Sequence, residues 1–292
     1  MDPILKWTGG KRWLAKALAA EISAKKPKVY VEPFLGAGAV ALQIQAERYL
    51  LGDANDALIN VWRCAVNTPN SLFLRIRQTE NRYQHTEAGY SEVQKTLNAF
   101  RRDKIFSAVN GNIADLSEMD RGILSGYPTE MASWVLYLIA HGYNGMWREN
   151  KSGEQNIPFG GHHQMRFKFL SMEKLRELSK LLRGKATFFA TDFEEVIDEA
   201  PSGAILYADP PYIDKFDGYT KEGFPESMQR RLAAALHRAA MRGVEIYASN
   251  SYHPLVHELY SWAKIADVNE RWSVGATGAR RGKAPCVLIH AG

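Results

Sequence analysis

A short motif, Asp209-Pro210-Pro211-Tyr212, holds the side chains of this sequence that are best suited to chemistry. It follows the apolar segment 204–208, a predicted strand, and so falls at the carboxyl edge of a sheet, where open α/β folds bind ligands. A carboxylate beside a backbone carbonyl accepts both hydrogens of an aromatic amine and stabilises the positive charge that develops on nitrogen during methyl transfer. The prolines fix φ and remove competing N–H donors, and Tyr212 offers a flat face to a flipped-out base. A rigid surface turn is the structural alternative.

Strands alternate with helices in two parts of the chain, 1–56 and 169–292, which predicts an α/β fold with a mostly parallel sheet. The predicted strands are 29–31, 49–51, 186–190, 204–208, 244–248 and 286–290, and the predicted helices are 39–46, 171–182 and 226–242. Together these parts are predicted to form one catalytic domain.

The stretch 57–168 has a different pattern, because helical segments such as 71–82 and 90–102 occur there without buried strands between them. We predict an inserted, mostly helical second domain. Its basic residues are candidates for phosphate contacts, with an ordinary solvated surface as the alternative. They are Arg75, Arg77, Arg82, Lys95, Arg101, Arg102, Lys104, Arg121 and Arg148.

The composition favours a polyanionic partner, since the 292 residues carry a formal net charge of +5. The two cysteines lack the spacing of a zinc site, so no metal is expected. Neither a secretory signal nor an apolar run of about 20 residues is present. These features predict a cytoplasmic protein without a membrane segment or an obligate protein partner. Pro285-Cys286 has the composition of a cytosine methyltransferase nucleophile, but the cysteine begins an apolar run, where a small buried residue is expected.

Further segments resemble, in order, those of the Dam-like (D12 class) site-specific DNA adenine-N6 methyltransferases, in which Asp-Pro-Pro-Tyr is the catalytic motif. The matching segments are Lys6-Trp7-Thr8-Gly9-Gly10-Lys11, Glu32-Pro33-Phe34-Leu35-Gly36-Ala37-Gly38, 143–160 with its ending Asn156-x-Pro158-Phe159-Gly160, Asp192-Phe193, 219–224 and 249–251. The resemblance implies a Rossmann-like, S-adenosylmethionine-dependent methyltransferase sheet with a helical DNA-recognition insert, working in a prokaryotic or phage-infected cell.

The resemblance also implies a set of cofactor contacts. They are Trp7, Lys11, Glu32, Phe34, Gly36, Gly38, Asp53, Asp192, Phe193 and Asp209. The glycine loop is also compatible with a dinucleotide fold, because Gly36, Gly38 and Ala41 satisfy its GxGxxA pattern. Asp53 fits ribose hydroxyls in either case, and Asp192 is equally suited to capping a helix.

The segment 143–160 resembles the DNA-reading hairpin of the family, with a turn at Ser152-Gly153 between polar side chains that could read base edges. The expected DNA contacts are Lys6, Arg148, Asn150, Lys151, Ser152 and Gln155. GATC-specific members carry Leu-Arg where this chain has Lys151-Ser152, so the target sequence is left open.

Taken together, the resemblance implies methyl transfer from S-adenosylmethionine to N6 of a flipped-out adenine in double-stranded DNA, with Asp209, Pro210, Pro211 and Tyr212 as catalytic residues. N4-cytosine methylation and RNA methylation are chemically related alternatives. A catalytically silent DNA-binding relative is the alternative from another class. The biological role, whether restriction-modification, phage protection or regulation, is left open.

Overall fold

The computed structural model describes residues 1–7, 12–102, 127–161, 170–213, 224–268 and 286–292. The helices are α1 (Arg12–Ala24), α2 (Asp56–Asn67), α3 (Pro69–Tyr83), α4 (Glu87–Arg102), α5 (Tyr127–His141), α6 (Met172–Leu182), α7 (Phe193–Asp198), α8 (Glu226–Met241) and α9 (Pro254–Leu259). The strands are β1 (Val29–Glu32), β2 (Arg48–Asp53), β3 (Ala186–Ala190), β4 (Ile205–Ala208), β5 (Glu245–Ser251), β6 (Lys264–Asp267) and β7 (Cys286–Ala291). The predicted contacts Lys11, Lys104 and Arg121 lie outside the described residues.

Seven strands form one sheet in the order β3-β2-β1-β4-β5-β7-β6. β1 pairs in parallel with β2 and β4, and β4 pairs in parallel with β5. β7 runs antiparallel to both β5 and β6. The predicted Rossmann-like α/β fold is therefore confirmed. The antiparallel strand β7 distinguishes this sheet from the six-stranded 3-2-1-4-5-6 order of dinucleotide-binding domains.

The chain divides into two compact units. Unit one comprises Met1–Gly10, Gly36–Leu42 and Asn55–Ala190, and unit two comprises Lys11–Leu35, Gln43–Ala54 and Thr191–Gly292. The predicted insert, 57–168, belongs wholly to unit one, and its bounds as a separate domain stay a prediction.

Unit one is built around α5, whose residues from Met131 to Ile139 are all buried. A helix that is apolar on every side needs neighbours all round, and α2, α3 and α4 pack against it. Trp62 of α2 also stacks on Phe188 of β3, with ring centroids 6.3 Å apart. The result is a helical core that supports the hairpin following α5.

Unit two is organised by β4, in which all four residues are buried. Close packing continues at Gly52 of β2, where a Cβ would lie 2.5 Å from a methyl carbon of Val196 in α7. Glycine at this position therefore allows α7 to approach the strand.

The predicted helix 39–46 is wrong, since only a 3-10 turn at Ala41–Gln43 forms before β2. The buried phenol of Tyr49 provides the reason. Its hydroxyl donates to the carbonyl of Ile44 at 2.8 Å and accepts from the amide of Ala46 at 2.9 Å. These bonds satisfy backbone groups that a helix would have used, and they turn the chain directly into the strand.

Candidate active site and DNA-reading hairpin

Asp209 follows the buried strand β4, and its carboxylate is held from the neighbouring strand β5. Ser249 Oγ donates to Asp209 Oδ1 at 2.6 Å and lies 3.0 Å from the hydroxyl of Tyr207. Because a serine hydroxyl carries one hydrogen, Tyr207 must be the donor in the second bond. Burial, followed by the charge of Asp209, raises the pKa of Tyr207 well above its ordinary value and keeps the phenol protonated. Tyr207 thus donates to Ser249, and Ser249 donates to the carboxylate of Asp209.

The backbone of the Asp209–Ile213 loop is fixed by two buried amide side chains. Gln229 Nε2 donates to the carbonyl of Pro211 at 2.9 Å, and Asn250 Oδ1 accepts from the amide of Ile213 at 3.3 Å. Asn250 Nδ2 in turn donates to Gln229 Oε1 at 3.1 Å. Ser251 adds a 2.7 Å bond from its hydroxyl to the carbonyl of Ile213. Strand β5 and helix α8 therefore hold the loop rigidly.

Tyr212 is anchored through its hydroxyl, which lies 3.2 Å from the thiol sulfur of Cys286 in β7. Burial, and then the charge of Asp209, raises the pKa of Tyr212 far above its ordinary value, so the phenol stays neutral. Cys286 is 7% exposed, in keeping with the packing role predicted for it. An aromatic ring held at one end is suited to a stacking function.

Two further predicted residues end parallel strands of the same sheet. Glu32 closes β1 and Asp53 closes β2, while β1 and β4 are neighbours from which the strand order runs in opposite directions. Such a switch point is where α/β sheets bind ligands. Glu32 is 3% exposed and accepts a 2.8 Å bond from the hydroxyl of Tyr30.

Three phenylalanines form an aromatic cluster in unit two. Phe34 stacks on Phe193 with centroids 5.4 Å apart, and Phe224 packs edge-on to Phe34 at 5.8 Å. Phe224 also lies 5.6 Å from Phe193. Sequence reasoning found the first two residues, and it found Phe224 only as part of the matching segment 219–224.

Asp192 has the capping role that the sequence left open. Its Oδ1 accepts from the amide of Glu194 at 3.0 Å and is also paired with Arg231. The guanidinium of Arg231 lies 4.5 Å from the ring centroid of Phe193. Asp192 thereby fixes the start of α7, and its contact with a cofactor stays a prediction.

In unit one, the glycine loop packs against Trp7. Gly36 has a φ of 48°, and a Cβ there would lie 3.2 Å from Trp7 Cδ1. The carbonyl of Gly36 accepts from Trp62 Nε1 at 3.0 Å, and Gly38 has a φ of 64°. Both the left-handed backbone and the close indole require glycine at position 36.

The predicted hairpin is present in 143–160. Gly142 bridges to Phe159 and Glu149 to Gln155, both antiparallel. At the tip, Asn150 Oδ1 accepts from the amides of Ser152 at 2.9 Å and Glu154 at 3.0 Å. The turn is therefore where the sequence predicted it, and Asn150 shapes it.

The residues predicted to contact DNA differ in how exposed their side chains are. Arg148, Lys151 and Ser152 are exposed, and Arg148 Nε donates to Asn156 Oδ1 at 2.9 Å. Gln155 was predicted to contact DNA, but its side chain is not placed to read a base edge, because the residue is only 1% exposed. Its side chain is bound by Gln94 Nε2 at 2.6 Å and by the hydroxyl of Tyr90 at 3.3 Å. Gln155 therefore anchors the hairpin to α4.

Two residues at the base of the hairpin belong to the matching segment 143–160, but no individual role was predicted for them. Tyr143 is 50% exposed, which is unusual for a large aromatic side chain, and Asn144 has a left-handed φ of 55°. Lys6 Nζ donates to the carbonyl of Asn144. The Asn144-Gly145 pair is a turn signal in the sequence, and it could have drawn attention to this corner.

A Rossmann-like sheet with an Asp-Pro-Pro-Tyr loop after β4 is typical of methyltransferases that act on aromatic amines. The profile of the D12 class N6 adenine-specific DNA methyltransferases matches residues 7–274, and the chain belongs to this family. It is a DNA adenine methyltransferase, as the sequence motifs predicted.

Several named proteins are similar along almost their whole length. The type II methyltransferase M1.LlaDCHI of Lactococcus lactis is 29% identical, with 99% of this chain and 95% of that protein covered. The retron Ec67 DNA adenine methylase of Escherichia coli is 29% identical, with coverage of 100% and 92%. The DNA adenine methylase of Haemophilus influenzae is 30% identical, with coverage of 96% and 90%.

The described ranges contain no helix that is both long and apolar enough to span a bilayer. Within the same ranges, no group of three or more histidine, cysteine, aspartate or glutamate side chains is placed to hold a metal ion.

Proposed function

We propose that this chain transfers a methyl group from S-adenosylmethionine to N6 of an adenine flipped out of double-stranded DNA, with the Asp209–Tyr212 loop as the catalytic group. The observation that carries the proposal is the carboxylate of Asp209, held at 2.6 Å by the buried hydroxyl of Ser249 at the carboxyl end of β4. Family membership supports adenine as the base.

The chemistry of the predicted cofactor residues fits S-adenosylmethionine. In unit two, the cluster of Phe34, Phe193 and Phe224 suits stacking with an adenine ring, and Asp53 at the end of β2 suits ribose hydroxyls. In unit one, Trp7 packs directly on Gly36 of the glycine loop and adds an indole ring to the predicted cofactor residues. When bound, S-adenosylmethionine supplies the activated methyl group.

The catalytic problem is the weak nucleophilicity of N6, whose lone pair is delocalised into the purine ring. The carboxylate of Asp209 accepts one N6 hydrogen and the carbonyl of Pro210 accepts the other, which localises the lone pair on nitrogen. As the new N–C bond formed, the methyl–sulfur bond of the bound donor would break, with its electron pair staying on sulfur to leave S-adenosylhomocysteine. N6 would then carry positive charge, and the fixed carboxylate of Asp209 stabilises that charge. One N6 proton then passes to Asp209 and on to water, which leaves neutral N6-methyladenine.

Tyr212 supports the flipped base by stacking on it, an interaction worth about 1–3 kcal/mol. Its neutral phenol is held by Cys286 and so does not compete as a base. On the hairpin, the exposed side chains of Arg148, Lys151 and Ser152 contact the duplex. Tyr143, half-exposed at the hairpin base, adds an aromatic face next to Asn144, whose carbonyl accepts from Lys6 Nζ.

The test is nucleoside chromatography with mass detection on unmethylated duplex DNA incubated with the enzyme and methyl-labelled S-adenosylmethionine. We expect label in N6-methyladenine. Label only in N4-methylcytosine, or only when RNA is supplied, would refute the assignment.

Asp209→Asn provides the matched variant, because it keeps the shape of the side chain and removes the charge. Its turnover should fall by about 100-fold or more, with affinities for DNA and S-adenosylhomocysteine within about threefold of the wild type. A wild type that binds both ligands without turnover would instead identify a silent relative.

A further inference from the structure

Two adjacent arginines at the end of α4 pair with two carboxylates of the hairpin. Arg101 pairs with Glu149 at 2.9 Å, and its side chain is 12% exposed. Arg102 pairs with Glu154 at 3.5 Å, and its side chain is 65% exposed. The first pair is enclosed, because its arginine is largely buried, and the second is solvated, because its arginine is exposed. The Arg102–Glu154 pair therefore provides a control for the Arg101–Glu149 pair.

Glu149 is the centre of the enclosed pair, because three donors converge on one of its oxygens. Oε1 accepts from Arg101 Nη1 at 2.9 Å, from Asn55 Nδ2 at 2.8 Å and from Trp147 Nε1 at 2.9 Å. Asn55 also caps α2, through a 2.9 Å bond from the amide of Leu58. One carboxylate therefore connects the start of α2, the end of α4 and the hairpin.

Arg101 extends the same contacts to the tip of the hairpin. Its Nη1 donates to the carbonyl of Gly153 at 2.9 Å, and its Nη2 to Asp56 Oδ1 at 3.0 Å. The side chain thus holds the residue next to Ser152, one of the exposed residues proposed to contact DNA. A positive charge held by two carboxylates and a carbonyl is fixed in direction as well as in place.

Trp147 extends the contacts in the other direction, toward the glycine loop. Its indole stacks on Trp7 with ring centroids 6.0 Å apart and an interplanar angle of 22°. Trp7 in turn lies against Gly36. The hydrogen bond to Glu149 fixes the rotation of the Trp147 indole, and with it the surface on which Trp7 rests.

We propose that Glu149 is a positioning residue that holds the DNA-reading hairpin and Trp7 in one arrangement. The inference rests on the proposed function, which assigns DNA to the hairpin and S-adenosylmethionine to Trp7. DNA and cofactor each stabilise the arrangement that the other requires, so each tightens the binding of the other by the same factor. Glu149 touches neither ligand and acts through Trp147 and Arg101.

The experiment compares Glu149→Gln with Glu154→Gln as the control. The dissociation constant of S-adenosylhomocysteine is measured by calorimetry with and without saturating sheared, unmethylated duplex DNA. In the wild type, DNA should tighten this binding by about 5-fold or more, the usual range of such coupling. In Glu149→Gln the factor should fall below about twofold, while Glu154→Gln should keep the wild-type factor.

A second readout uses no ligand. Hydrogen exchange is followed at the amides of Asn150 and Asn156, which bond to the carbonyls of Glu154 and Arg148 across the hairpin. Exchange should accelerate by about tenfold or more in Glu149→Gln and by less than about threefold in Glu154→Gln. Trp147→Phe keeps an aromatic ring and removes one donor to Glu149, so it should lose part of the ligand coupling. This milder variant keeps the test informative if Glu149→Gln fails to fold.

The outcomes separate this inference from the proposed function. Wild-type coupling near one, or coupling and exchange in Glu149→Gln that match the wild type, would overturn the inference even if both ligands bind. A wild type that does not bind S-adenosylhomocysteine would overturn the proposed cofactor and the coupling with it. In that case, accelerated exchange in Glu149→Gln would still identify the residue as the anchor of the hairpin.

Discussion

Ser249 donates to Asp209 from the neighbouring strand, although the two residues are 40 positions apart in the chain. Strand β5 therefore determines where the carboxylate of Asp209, the proposed catalytic group, points. The same strand holds the rest of the loop through Asn250 and Ser251. Three consecutive side chains of one central strand thus hold both ends of the proposed catalytic loop, at Asp209 and at Ile213.

Replacing Ser249 with alanine should lower kcat by about 10-fold to 100-fold, since a hydrogen bond to a charged acceptor contributes about 1.5–3 kcal/mol. Affinity for S-adenosylhomocysteine should stay within about threefold, because the bond orients a group that acts in the transition state. Tyr207→Phe is the companion variant, and its effect should be smaller because Ser249 can still donate. Steady-state kinetics decide the matter, and an unchanged kcat in Ser249→Ala would remove Ser249 from the mechanism.

Tyr212→Ala should reduce kcat/KM more than Tyr212→Phe does. Alanine removes the stacking surface, worth about 1–3 kcal/mol, whereas phenylalanine keeps the ring and loses only the contact with Cys286. The measurement is methylation of duplex DNA at subsaturating concentration. Equal damage from both substitutions would show that the phenol oxygen, and not the ring, is required.

Charge removal on the hairpin should change the salt dependence of DNA binding. Lys151→Gln and Arg148→Gln, both at exposed positions, should each flatten the slope of log K against log salt by about one unit. Arg101→Gln should weaken binding without that change in slope, since its guanidinium is already paired with Asp56 and Glu149. Titrations at several salt concentrations test both statements, and a flattened slope for Arg101→Gln would place this residue on a phosphate.

Folding stability should decrease as the pH falls below about 6.5. Burial, and then the neighbouring His85, lowers the pKa of His141 to about 3. The unfolded chain therefore takes up a proton near the ordinary histidine pKa of about 6.5 that the folded chain does not, and each pH unit below it costs up to about 1.4 kcal/mol. Above about 6.5 both states are neutral at this residue and the contribution is fully present.

This pH prediction is checked by urea unfolding at pH 7 and pH 5. Between pH 7 and pH 5, the free energy of unfolding should fall by up to about 2 kcal/mol less in His141→Phe than in the wild type. The exposed His257→Gln should behave like the wild type. If both variants lose stability in parallel with the wild type, the acid sensitivity originates at other groups.

Local patterns were enough to predict much of the fold. The strand at Ala186–Ala190 was predicted with the bounds observed, because a short apolar run lies between clear breaks. The helix beginning after Ser171 was predicted because the serine caps it, through a 3.2 Å bond from the amide of Lys174. Helix α5 was not predicted, since a segment that is apolar on every side has no periodic face to identify it.

The candidate site was only half visible in the sequence. Asp209 and Tyr212 form a contiguous motif at the end of a strand and could be found by pattern. The contact of Ser249 with Asp209 could not be predicted, because it depends on the register between β4 and β5, and Ser249 stood in the sequence only as part of a matching segment. Gln229 stood in no matching segment, and its contact with the loop depends on the packing of α8. Gln155 was predicted to contact DNA because it is polar and close to a turn. Polarity and position in the sequence do not reveal that its side chain is buried against α4.

The two arginine pairs at the end of α4 also determine the long-range electrostatic field of the hairpin. Arg148, Glu149, Lys151 and Glu154 sum to a formal charge of zero, so the segment looks neutral in the sequence. Both acids are paired with α4, whereas both cations are exposed. Because α4 neutralises its acids, the hairpin presents a net positive surface to solvent, and such a surface turns an approaching polyanion toward the tip before contact is made.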